Sequence, residues 1–205
     1  GDYATPEQGV PITKPNDEYW ELCMTMNDSW GYQGNDKNYK SVNQIIRIFV
    51  DCISMGGNLL LDIGPKADGT IPKQQIEILQ GLGRWTNKHA EAIYGCRAGI
   101  PKEHFNGYTA LSKDKKIIYL YVDNKPIGPL LIKGLKNKIN RIWVVGNGTK
   151  LNYEVMGKQY WSSVPGLLYI DLPEEVQDKE VTVIAVLLDG EVDLYGEEIK
   201  PIESN

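Results

Sequence analysis

The chain is poor in cysteine and histidine and has no excess of positive charge. Its three cysteines, Cys23, Cys52 and Cys96, are an odd set in 205 residues. An odd count makes no disulfide framework, and their spacing fits no metal pattern. With only His89 and His104 to add to them, no zinc site is expected, and Cys52 reads as a small packing residue. Lys and Arg number 22 against 27 Asp and Glu, a net charge of -5. A nucleic-acid partner needs a basic face, so none is expected. No apolar run approaches the roughly 20 residues of a membrane span. Initiator methionine and signal peptide are both missing from the start, so any targeting segment would lie outside this piece. Internal repeats and low-complexity tracts are absent too.

What is present divides into two textures. In the first half, Asn58 to Ile63 is a short apolar run between Gly56-Gly57 and Gly64-Pro65. It is too short for a helix and does not alternate with polar residues, so it predicts a strand buried on both faces, as in a parallel sheet. Before it, Val42, Ile45, Ile46, Phe49, Val50 and Ile53 fall on one helical face, with Ser41 at the N-cap. After it, Pro72 can open a helix whose apolar stripe runs from Ile76 through Leu79, Leu82 and Trp85 to Ile93. Helix, buried strand, helix is one turn of a parallel α/β layer. Tyr19 to Met26 reads as another buried strand, and residues 1 to 19 and 27 to 39 as loops.

From Arg97 onward helical spacing gives way to short strands and turns. Strands are expected at Ile117–Val122, Leu130–Ile132, Ile142–Val145, Leu151–Val155, Leu167–Leu172 and Val181–Leu188. Asp189-Gly190 then leads into Val192–Tyr195, a turn pattern that predicts a closing hairpin. This half predicts an antiparallel β-sandwich over 103–205. The expected fold is therefore α/β plus all-β. Residues 1–98 look like the last part of a larger α/β domain, either a partial (β/α)8-like barrel or a doubly wound sheet, and the sandwich follows. Two or three βα units cannot close a barrel of eight strands, so Leu59, Leu60 and Leu61 need cover from elsewhere.

In a parallel barrel, functional groups sit past the C-terminal ends of strands. Three segments qualify and should share one rim: Thr5-Pro6-Glu7, Ser29-Trp30-Gly31-Tyr32, and Asp62 to Thr70. Glu7 fits a general acid, although a solvated loop carboxylate is the commoner meaning of such a residue. Glu21 lies between Trp20 and Leu22, and a carboxylate in a buried strand must be paired or shifted in pKa. Trp30, in a loop next to glycine, fits either a sugar-facing aromatic or a plug over the core. Asp62 reads as a cap for nearby N–H groups. Trp143 and Trp161 read as core or interface.

Several stretches together resemble the α-L-fucosidases of glycoside hydrolase family 29. They are Tyr-Trp-Glu-Leu-Cys-Met-Thr-Met-Asn-Asp-Ser-Trp-Gly-Tyr at 19–32 and Gly-Gly-Asn-Leu-Leu-Leu-Asp-Ile-Gly-Pro-Lys-Ala-Asp-Gly-Thr-Ile-Pro at 56–72. Glu-Ala-Ile-Tyr-Gly at 91–95 and Asp-Tyr-Ala-Thr-Pro-Glu at 2–7 add to them. The likeness is tight to about residue 97 and looser beyond. It implies a retaining exo-glycosidase with two carboxyl groups about 5–5.5 Å apart. The nucleophile would be an Asp on an earlier barrel strand, upstream of Gly1. The acid/base falls on Glu7, with Glu21 as second candidate, and Trp30 matches an aromatic that packs against the fucose ring and its methyl group. No metal and no cofactor are implied. The implied partner is a fucosylated oligosaccharide or glycoconjugate, met outside the cytoplasm. The isolated chain is expected to be inactive. The competing expectation is a non-catalytic module, a glycan- or protein-binding sandwich with an α/β adaptor that buries its own leucines.

Overall fold

A computed structural model describes residues 2–196; the rest of the expected 103–205 segment lies outside the described residues. Among the described residues the chain is mostly β, with two α-helices. Strand β1 (Glu21–Thr25) leads to helix α1 (Val42–Ser54), strand β2 (Asn58–Asp62) and helix α2 (Lys73–Lys88). The strands β3 (Arg97–Ala98), β4 (Tyr108–Leu111), β5 (Ile117–Val122), β6 (Leu130–Ile132) and β7 (Ile139–Val144) follow. The last are β8 (Tyr153–Met156), β9 (Leu167–Ile170) and β10 (Thr182–Leu188).

β1 and β2 pair in parallel, with Cys23 opposite Leu60 and Thr25 opposite Asp62. α1 makes the crossover. Its first turn is fixed by a capping box. The Ser41 hydroxyl accepts from the Gln44 N–H at 3.1 Å, and the Gln44 amide oxygen accepts from the Ser41 N–H at 2.8 Å. Such a box satisfies two donors that a helix start leaves without partners. At the other end Gly56, at φ 77°, stops the helix where any side chain would be strained.

β3-β4-β5-β10-β7 form one antiparallel sheet and β6-β9-β8 another. Ile118 and Leu120 of β5, with Ile184 and Val186 of β10, meet Ile132, Leu168 and Ile170 of the smaller sheet in one core. The alternate residues Tyr119, Tyr121, Val183 and Ala185 face the other way, onto Ile46, Val50 and Trp85 of the helices. Period-two alternation with both faces covered explains why β5 and β10 read as unbroken apolar runs. Polar ties cross this helix–sheet seam. The Trp85 indole N–H donates to the Val181 carbonyl at 2.8 Å. Arg84 and Lys88 hold Asp178 at 2.9 and 2.7 Å. Burial opposes the charge on Asp178, but these two cations outweigh it and keep the carboxyl far below its usual range.

Four expectations change. The leucine strand is not enclosed on both faces: Leu59 and Leu61 are half-buried and Leu60 is 49% exposed. α1 covers one face through Ile48, Cys52 and Met55, and nothing among the described residues covers the other to that degree. α2 stops at Lys88 instead of running on to Ile93. There the His89 ring nitrogen Nδ1 bonds the Trp85 carbonyl, and a 3-10 turn at Ala90–Ala92 follows. The closing hairpin does not form. Both edges of β10 are already taken by β5 and β7, and Leu194 bridges Leu135 instead. Trp161 is not core: it is 70% exposed, edge-on to Tyr160.

Candidate active site

A third extended segment lies along β1. Ala4 bridges Trp20 and Glu7 bridges Cys23, both in parallel. The Cys23 N–H donates to the Pro6 carbonyl at 2.9 Å, and the Gln8 N–H to the Cys23 carbonyl at 2.8 Å. Residues 4–8, β1 and β2 therefore run side by side in one direction. Partners in register point the same way in such a layer. Leu22 and Met24 point to α1 and are fully buried. Glu7, Glu21, Cys23 and Leu60 share the opposite face, which is open.

The electrostatics of Cys23 report this grouping. Desolvation first, then the negative charges of Glu7, Asp62 and Glu21, raise its thiol above the usual value. A thiol held up in this way stays protonated and is a poor nucleophile. Glu21 is half-buried and accepts from the Tyr3 hydroxyl at 3.4 Å. The enclosed, obligatorily paired carboxylate expected from the sequence is not found, because its face of β1 carries no second layer. Glu7 is exposed. Asp62 stands half-buried opposite Thr25.

All three extended segments end at the same edge, and there the Trp30 loop folds down. Asp36 organises this loop. Its carboxylate accepts from the Ser29 hydroxyl at 2.7 Å, the Asp28 N–H at 3.0 Å and the Asn38 N–H at 3.1 Å. These bonds, the Ser29 one foremost, hold its carboxyl below the usual range. Trp30 and Tyr32 are left 47% and 44% exposed. The loop reaches the end of β2 because residue 64 is glycine. A Cβ there would stand 2.9 Å from the Gly31 carbonyl carbon and the Tyr32 nitrogen. The Gly64 N–H donates to the amide oxygen of Gln75, a buried residue of α2, at 2.9 Å.

The structure thus brings Glu7 and Glu21 onto one open face and places Trp30 at the edge where the strands end. Sequence reasoning missed Gln8, Thr25 and Gln75, which hold these pieces. Gln8 and Thr25 lie 17 residues apart, and no local pattern pairs them. Among the described residues no group of three His, Cys, Asp or Glu is placed to hold a metal ion.

Comparisons with known proteins converge on one family. A sequence model of alpha-L-fucosidase matches residues 1–91. Tissue alpha-L-fucosidase of Mus musculus is 38% identical over 101 residues, 47% of this chain and 22% of that protein. Plasma alpha-L-fucosidase of Homo sapiens is 30% identical over 143 residues, 65% of this chain and 31% of that protein. Alpha-L-fucosidase isoenzyme 1 from Paenibacillus thiaminolyticus superposes with a TM-score of 0.81 at 30% identity, over 92% of this chain and 45% of that one. The enzyme from Vibrio sp. strain EJY3 does so with a TM-score of 0.82 at 27% identity, over 94% and 33%. The chain spans between a fifth and a third of the length of these two curated relatives.

Proposed function

We propose that this chain, which belongs to the α-L-fucosidase family through residues 1–91, supplies the acid/base half of a retaining α-L-fucosidase. In this reading residues 1–98 are the last part of a (β/α) barrel and 103–205 a C-terminal β-sandwich. The substrate is a terminal α-L-fucose on an oligosaccharide or glycoconjugate, and its chemistry places the enzyme outside the cytoplasm. No helix among the described residues is long and apolar enough to cross a membrane.

The observation that carries the reading is the open face of the parallel strands. Parallel layers are normally covered on both sides. Here one side is packed on α1, while Leu60 on the other is 49% exposed beside Glu7 and Glu21. That arrangement suits inner staves of a larger cylinder whose remaining strands lie outside this chain. A self-sufficient adaptor would cover Leu60, and its exposure argues against that alternative.

The chemistry follows from two carboxyl groups. An Asp from a strand outside this chain attacks the anomeric carbon while Glu7, protonated, gives its proton to the leaving oxygen. Glu7, now ionised, takes a proton from the water that releases fucose. Trp30 offers an apolar surface to the sugar ring and its methyl group. Glu21 is the second candidate for the acid.

The test uses the whole protein and a series of aryl α-L-fucosides. Glu7→Gln should lower kcat/KM by about 100-fold or more for poor leaving groups and far less for dinitrophenyl fucoside, which departs without a proton. Glu21→Gln should show no such slope. If Glu21→Gln gives the slope and Glu7→Gln does not, the roles are exchanged. Turnover by residues 1–205 alone would contradict the division of the two carboxyl groups.

A further inference from the structure

We propose that Gln8 is a positioning residue, clamped to Thr25 to hold the Glu7 carboxyl at the edge of the layer. The inference rests on the reading of Glu7 as acid/base.

Gln8 has φ 60°, and among the described residues only Lys115 shares a positive φ without being glycine. Lys115 sits in the tight turn between β4 and β5, where its N–H donates to the Ser112 carbonyl at 2.9 Å. That connection accounts for its backbone. Gln8 lies in no hairpin. It is the centre of a three-residue turn closed by the Gly9 N–H on the Glu7 carbonyl at 2.7 Å. A side chain with a Cβ is disfavoured there, and such a conformation persists only where its surroundings fix it.

The fixing contacts are on both sides of the residue. Its backbone N–H reaches the Cys23 carbonyl at 2.8 Å. Its side-chain amide brackets Thr25: Nε2 donates to the Thr25 hydroxyl at 3.2 Å, and Oε1 accepts from the Thr25 N–H at 3.4 Å. Thr25 is itself anchored by packing and hydrogen bonds. It is fully buried, its hydroxyl donates to the Asn27 carbonyl, and its own carbonyl accepts from the Lys40 ammonium at 2.8 Å. The clamp therefore ties an exposed loop carboxylate to the last residue of a packed strand. The Glu7 side chain has no hydrogen bond of its own to perform that task among the described residues. Without the clamp no side-chain contact fixes residues 7–9 in this turn, and the Glu7 side chain swings.

The experiment compares Gln8→Gly, Thr25→Val and Thr25→Ser in the whole protein. Gln8→Gly suits φ 60° better than glutamine does, so folding is preserved while the clamp is deleted. Misplacing a catalytic group by about 1 Å costs up to about 100-fold. We expect Gln8→Gly and Thr25→Val to lower kcat/KM at least tenfold for a phenyl fucoside, an order of magnitude within that limit, and by less than twofold for dinitrophenyl fucoside. Thr25→Ser should restore the loss. The basic limb of the kcat/KM pH profile should also shift in both damaged variants. A flat leaving-group dependence in Gln8→Gly beside a steep one in Glu7→Gln overturns the clamp alone. A flat Glu7→Gln overturns the acid/base reading and the clamp with it. If Thr25→Val does not fold, as its unfolding midpoint will tell, Gln8→Gly decides.

Discussion

His89 is 1% exposed at the end of α2, with its ring 4.8 Å from that of Trp85. Nδ1 bonds the Trp85 carbonyl at 2.8 Å, and Nε2 has no partner among the described residues. Burial pushes the imidazole down to about 4, against the opposing pull of the Trp85 carbonyl and Asp178. It is therefore neutral in the folded protein at pH 7. An unfolded histidine titrates near 6.5. Below that pH the unfolded chain binds a proton that the folded chain refuses, so stability falls as pH drops from about 6.5 toward 4. The full shift corresponds to about 3 kcal/mol, of which most is lost by pH 4.5. Asp178 does not confuse this window. Its depressed carboxyl contributes stability that is lost only at lower pH, as the group is finally protonated. Urea unfolding at pH 7, 5.5 and 4.5 should show the decline, and His89→Gln should flatten it. A parallel decline in both proteins would place the effect elsewhere. Neither His89 nor Asp178 has a legible role in the sequence. Arg84 and Lys88 meet Asp178 across 94 and 90 residues, and separation of that kind leaves no local trace.

Elements are more legible than residues because their signals are local. The α1 stripe and its Ser41 cap follow from spacing alone, and the parallel pairing of β1 with β2 follows from a helix between two apolar runs. β4 is missed because the middle of Tyr-Thr-Ala-Leu, Thr109 and Ala110, is small and breaks the apolar run. The small residues have a reason: Ala110 is fully buried against the helix layer, and the Thr109 hydroxyl receives the Ile100 N–H at 2.9 Å. Glycine punctuation was also readable in part. Gly56-Gly57 marks a stop, yet the demand at Gly57 comes from distant packing. A Cβ there would lie 2.2 Å from the indole of Trp20, itself 1% exposed and unable to withdraw. Gly57→Ala should destabilise the chain by about 3 kcal/mol, the upper end for overpacking. Gly83, in α2, has nothing within 4 Å of its missing Cβ. Gly83→Ala should stabilise by about 0.5–1 kcal/mol. Guanidinium unfolding of both variants checks the pair, and equal effects would mean that packing at Trp20 is not what selects glycine.

At the scale of the molecule, the helices are shared between two layers. α1 lays Ile48 and Cys52 on the parallel strands and Ile46 and Val50 on the antiparallel sheet. The described chain thus has one side finished, the antiparallel sheets with their common core, and one side open. Leu60 is the measure of that open side. If the parallel strands are inner staves of a larger cylinder, its cost of removal depends on the context in which it is measured. In residues 1–205 alone, Leu60 is 49% exposed and Leu60→Ser should fall within the roughly ±0.5 kcal/mol of surface changes. In the whole protein the same substitution should cost about 2–4 kcal/mol, because it deletes a buried side chain and introduces a hydroxyl facing apolar neighbours. Leu22, fully buried against α1, supplies the contrast: Leu22→Ala should cost about 2–5 kcal/mol in either context. Chemical denaturation of both lengths distinguishes the outcomes. A Leu60→Ser effect that is equally small in the two would mean that no further strand comes to cover this face, and the carboxylate opposite Glu7 would have to be sought elsewhere.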